Sequence, residues 1–62
     1  MADKIENLTE SNGIALGDTV RLKSGSIGIV CAIIDYGTHI AFFLDLGKWL
    51  KFPARREWIE LL

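Results

Sequence analysis

Two kinds of apolar pattern follow one another along this chain of 62 residues. Thr19-Val20-Arg21-Leu22-Lys23 alternates cleanly, which predicts a strand with Val20 and Leu22 inward and Arg21 and Lys23 in water. Ile27-Gly28-Ile29-Val30-Cys31-Ala32-Ile33-Ile34 does not alternate at all and carries no charge. A strand with one wet face should be polar at every second position, so this run predicts a strand whose second face also meets something dry. Gly28 marks a bulge or a close backbone approach within it. Three further strands are expected over Thr38 to Leu44, Lys48 to Phe52 and Glu57 to Leu62. Turn signals separate them at Gly17-Asp18, Ser24-Gly25-Ser26, Asp35-Tyr36-Gly37 and Asp45-Leu46-Gly47. Gly37 and Gly47 are suited to positive φ there. Pro53-Ala54-Arg55-Arg56 suits a single helical turn before the last strand, because proline is favoured at a first helical position. Residues 1–12 are polar apart from Ile5 and Leu8 and read as a flexible N-terminal tail, ending at the turn cluster Ser11-Asn12-Gly13.

Hairpin register carries the pattern further. Pairing Leu44 with Lys48 sets Phe42 against Leu50 and Ile40 against Phe52 on one face. The other face then pairs Phe43 with Trp49 and Ala41 with Lys51. The loop of the preceding hairpin holds three or four residues, and either choice leaves apolar groups on both faces of the long strand. One row is Ile29, Cys31 and Ile33; the other is Val30, Ala32 and Ile34. The expected self-association face is Val30, Ala32, Ile34, Phe43 and Trp49. For Trp49 three roles stay open: covering the outer face with Phe43, anchoring a subunit interface, or stacking on a base. Whether Trp58 or Ile59 faces the core also stays open.

Size strengthens the expectation of assembly. A single domain this small buries only about 60% of its unfolded surface and usually leans on a disulfide, a metal or oligomerisation. Cys31 is the only cysteine and His39 the only histidine, so an internal disulfide and a Cys/His metal set are both excluded. Assembly is the remaining device. Seven basic and eight acidic residues give a net charge of −1, far from a dedicated polyelectrolyte binder and providing little repulsion against self-association. No secretory leader or 18-residue apolar stretch is apparent, so the expected setting is the cytoplasm, with no membrane partner. There Cys31 stays a thiol, expected as a small buried hydrophobe.

Candidate chemistry adds little. One histidine, one cysteine and scattered serines supply no nucleophile and base at a recognisable spacing. Asp18 and Asp35 fall in turns, where bonds to backbone N–H groups explain them. His39 is expected as a solvated residue at a hairpin end. Gly25 and Gly28 lack the lysine and helix start of a phosphate loop. No catalytic, cofactor-binding or metal site is expected, and the chain is not expected to be an enzyme.

Two resemblances refine the fold. Gly17-Asp18-Thr19-Val20-Arg21-Leu22-Lys23-Ser24-Gly25, followed by Gly28-Ile29-Val30, resembles the opening of KOW-type SH3-like barrels, a motif that recurs in small bacterial proteins. Pro53-Ala54-Arg55-Arg56 is similar to the single turn such barrels place before their last strand. The resemblance covers roughly residues 14–62 and implies an all-β, five-stranded small SH3-like barrel over residues 13–62. It further implies nucleic-acid contact through Arg21, Lys23, Trp49, Lys51, Arg55 and Arg56, although the first loop is much shorter here. The same opening resembles type II dihydrofolate reductase, a mobile-element SH3-like barrel assembled around a central pore. There a Val-Gln-Ile-Tyr strand before proline holds the ligands; Trp49-Leu50-Lys51-Phe52 precedes Pro53 here. Leu50 and Phe52 lack the polar groups that the reductase uses, so fold and assembly are implied rather than activity. The sequence therefore points to a homo-oligomeric, non-catalytic interaction module for a protein partner, with KOW-like nucleic-acid binding as the first alternative and a type II dihydrofolate reductase-like enzyme as the more distant one.

Overall fold

The computed structural model describes residues 5–47 and 51–62. Among these the fold is all-β and antiparallel, with a single 3₁₀ turn. The strands are β1 (Glu6–Leu8), β2 (Glu10–Ser11), β3 (Ile14–Ala15), β4 (Thr19–Leu22), β5 (Ile27–Asp35), β6 (Ile40–Asp45), β7 (Lys51–Ala54) and β8 (Ile59–Leu61). The 3₁₀ turn covers Arg56–Trp58. The main sheet runs β7-β6-β5-β4-β8, and β1 also pairs with β5. Where sequence predicted five strands in one barrel, the described residues form eight short strands in two sheets, with the expected single turn before the last strand.

The nine-residue β5 organises the sheet. Its β6 side is paired from Ile29 to Asp35. On its other side β4 pairs only with Ile27, Gly28 and Ile29. The remaining edge would present unpaired backbone groups, and β1 takes it, setting Leu8 against Ile33 and Glu6 against Asp35. Residues 6–8 and 10–11 are therefore strand and not the tail expected from their polarity. Leu8 also packs on the core. The turn cluster at Asn12-Gly13 is a two-residue hairpin joining β2 to β3, with φ of 51° and 84°. Positive φ at both central residues is the requirement of a type I′ hairpin, for which Asn-Gly is the favoured pair. That hairpin delivers Ile14, fully buried, into the core.

The core cluster is Ile14, Val20, Val30, Ile33, Phe42, Leu44, Ala54 and Ile59, with Leu8, Leu22, Ile40, Leu46 and Phe52 packed against it. Ile59 faces in at 6% exposure, while Trp58 remains 42% exposed. Gly28 marks a close approach: a Cβ there would stand 3.1 Å from the Asp45 carbonyl oxygen and 2.6 Å from Leu46 Cδ2.

One register differs from expectation, and another, left open between two loop lengths, is settled. Leu44 pairs with Phe52, Phe43 with Pro53 and Phe42 with Ala54, a shift of four residues from the tight hairpin. Because four is even, each side chain keeps its expected face. Pro53 consequently lies in β7, an edge strand, where its missing N–H costs no ladder bond. The helical turn begins three residues later than proline suggested. The first loop holds four residues, Asp35 pairing with Ile40 and the Tyr36 N–H donating to the His39 carbonyl at 2.9 Å.

Candidate self-association face

The second face of β5 is set by a bulge. The register to β6 shifts between Val30 and Ala32, so Cys31 is the extra residue. Before the bulge Gly28 and Val30 point inward; after it Ile33 does, three residues from Val30 instead of two. The outward set is Ile27, Ile29, Cys31, Ala32 and Ile34. Val30, expected on the self-association face, is therefore a core residue at 1% exposure. Cys31, expected buried, is exposed and donates its thiol to the Phe43 carbonyl at 3.2 Å. Both differences have one cause: an inserted residue changes the parity of the strand.

Cross-strand pairing orders the outer face in rows. Arg21 lies beside Ile27, with Glu60 on its far side. Thr19, Ile29, Asp45 and Lys51 form the next row. Ala32, Phe43 and Pro53 follow, then Asn7, Ile34 and Ala41. Ile27 and Ile29 are 55% and 51% exposed; Ala32, Ile34 and Phe43 are half-buried and Pro53 is exposed. Ala41 is buried without belonging to the core cluster, as expected of a small residue lying between larger outer neighbours. The middle of this face is apolar across three strands. Ala32, Ile34 and Phe43 thus share the face on which sequence placed them, and Trp49 lies outside the described residues.

Charge is confined to the margins. Arg21 pairs with Glu60 at 2.9 Å on the β4–β8 side, and Lys51 with Asp45 at 3.6 Å on the β6–β7 side. The Gly47 N–H donates to Asp45 Oδ1 at 2.9 Å. That bond, followed by the Lys51 ammonium, holds the Asp45 carboxyl below its ordinary value of 3.8. Asp35 repeats the same device, accepting from the Gly37 N–H at 2.8 Å. Asp18 Oδ2 accepts from the Ala15 N–H at 2.9 Å, so Asp18, Asp35 and Asp45 each serve a turn.

The basic residues named for nucleic-acid contact take separate places. Arg21 and Lys51 occupy the two opposite margins of the outer face in ion pairs. Arg56 is structural, donating to the Asn12 carbonyl at 3.1 Å and the Ile59 carbonyl at 3.0 Å, which ties the 3₁₀ turn to the β2–β3 hairpin. Arg55 is exposed and lines a shallow cleft of about 470 Å³ with Asn12, Asp35, His39, Arg56 and Glu57. His39 there stacks on Tyr36 with ring centroids 5.2 Å apart, and its Nδ1 lies 3.0 Å from the Thr38 hydroxyl. Lys23 lies beside exposed Trp58, whose carbonyl accepts its backbone N–H at 3.1 Å. Of the two residues the sequence left as alternatives for the core, Ile59 is the one that enters it, and Trp58 stays on the surface at the end of the 3₁₀ turn.

Among the described residues no group of three His, Cys, Asp or Glu side chains could hold a metal ion. No helix there is long and apolar enough to cross a membrane. Compared with protein-family models, curated proteins and solved structures, the chain matches none of them.

Proposed function

We propose that this chain is a small, non-catalytic interaction module of SH3-like architecture that self-associates through the outer face of β5, β6 and β7 and serves a protein partner. The observation that carries the reading is the apolar patch of Ile29, Ala32, Ile34, Phe43 and Pro53, bordered by charge only at its edges. A contiguous apolar area with a polar rim is the usual composition of an interface. Supporting the SH3-like part are the strand order β7-β6-β5-β4-β8 and the 3₁₀ turn before the last strand. The small size of the core favours assembly as an added source of stability.

Sedimentation at tens of micromolar tests the reading. A dimer or larger species is expected, and Ile29→Ser should shift it to monomer while leaving the fold intact. A monomeric parent chain overturns the proposal.

A KOW-like nucleic-acid reading has one observation in its favour: exposed Trp58 with Lys23 and Arg21 around a shallow depression of about 190 Å³, which Glu57 and Glu60 also line. An aromatic face flanked by cations suits base stacking. It requires single-stranded RNA or DNA binding that weakens with salt and with Trp58→Ala.

A further inference from the structure

The order of charges across the outer face is self-complementary, and it selects one geometry for the pairing of two copies. Read from β8 to β7, the face carries Glu60, Arg21, the uncharged outward row of β5, Asp45 and Lys51, which is negative, positive, neutral, negative, positive. Reversing that order inverts every sign. We propose that the partner on this face is a second copy of the chain, related by a two-fold axis running along β5. The inference rests on the proposed self-association and adds its symmetry and its contacts.

The geometry follows from strand spacing. β4 and β6 each lie about 4.8 Å from β5, so a two-fold along β5 lays the β4 of one copy over the β6 of the other. Arg21 and Asp45 sit in adjacent rows, about 7 Å apart along the strand direction, a span that an extended guanidinium covers. Each flank of the interface then reads Glu60, Arg21, partner Asp45, partner Lys51, alternating in sign. The apolar residues of β5 face their own equivalents across the axis, Ile29 against Ile29 and Ile34 against Ile34, as an isologous interface requires. A two-fold laid across the strands keeps the charge order and sets like columns over each other, which costs association.

Charge reversal at two positions tests this. Arg21→Glu alone and Asp45→Arg alone should each weaken self-association about tenfold or more, since each sets like charges face to face twice. Mixing the two variants should recover a heterodimer, because Glu at 21 then meets Arg at 45 and Arg at 21 meets Asp at 45. The double variant should recover the homodimer. Folded single variants that still self-associate like the parent, or that stay apart on mixing, overturn the geometry while leaving self-association standing. A monomeric parent chain overturns both. Where a reversal costs the fold, as thermal melting will reveal, the cycle of Arg21→Ala and Asp45→Ala reads the same contact. Additive losses in that cycle reject it, and non-additive losses support it.

Discussion

The two faces of β5 are equally apolar in sequence and unlike in circumstance. Gly28, Val30 and Ile33 look inward on Val20, Leu44 and Phe42, at or below 1% exposure for the two larger side chains. Ile27, Ile29, Ala32 and Ile34 look outward, and the first two keep half their surface. Hydrophobicity alone therefore does not say which row is core. What decides is the number of residues between fixed turns, together with one bulge that lets Val30 and Ile33 share a face.

The largest effect expected from this difference comes from truncating neighbours on opposite faces. Ile33→Ala removes a side chain enclosed on all sides and should cost about 2–5 kcal/mol, read as a lowered urea midpoint. Ile34→Ala should cost about 1 kcal/mol or less in the isolated chain. Its main signature should be a melting temperature that no longer rises with protein concentration, as loss of an association that stabilises the fold predicts. Equal losses at both positions would show that the outer row is as enclosed as the inner one.

Gly28→Ala probes the tightest point of the inner face. Its Cβ would meet the Asp45 carbonyl oxygen and the Leu46 side chain at overlapping distances, and the backbone contact cannot be relieved by a rotamer change. A loss of about 1–3 kcal/mol is expected. A neutral effect would mean that Leu46 and the β5–β6 ladder yield together.

The smallest effect concerns the rim. Asp45 titrates below its ordinary value in the folded chain because Gly47 and Lys51 favour its charged form. A depressed carboxyl stabilises the fold fully above its unfolded value, and the contribution fades as pH falls through the lower folded one. Asp45→Asn should therefore be less stable than the parent at pH 7, and the gap should close at an acid pH below the lowered folded value. Urea denaturation at the two pH values checks this, and a gap that persists in acid would assign the loss to geometry.

Much of the fold was legible because local chemistry fixed it. Alternation placed Val20 and Leu22 inward, and Asp35-Tyr36-Gly37 placed the β5–β6 turn. The missed features depended on distant partners. β1 forms because β4 is too short to cover the edge of β5, a fact no residue among 1–12 announces. The four-residue shift of β7 moved Pro53 from a helical position into a strand, and the proline is compatible with either. Asn12-Gly13 was the one neglected local signal, read as the end of a tail although the same pair is the strongest hairpin sign available. On the outer face, Ala32, Ile34 and Phe43 come together because the four-residue β5–β6 loop sets Ala32 opposite Phe43 and Ile34 opposite Ala41. The place of Val30 was not legible, since a single-residue bulge leaves no mark in a run of aliphatic side chains.

The bulge at Cys31 also bears on how this chain tolerates change in its length. In an ordinary half-wet strand, losing one residue exchanges oil for water along everything downstream, and the insertion or deletion is rejected outright. Here Ile33 and Ile34 are chemically the same, so a frame moved by one position still offers an isoleucine to the core. What resists the slip is the pair of aspartate-capped glycine turns at the two ends of β6, which act as stops on a sliding scale. Lengthening or shortening β5 at its centre should consequently be survivable, whereas altering Asp35-Gly37 or Asp45-Gly47 would free the strand to choose between two nearly equivalent alignments.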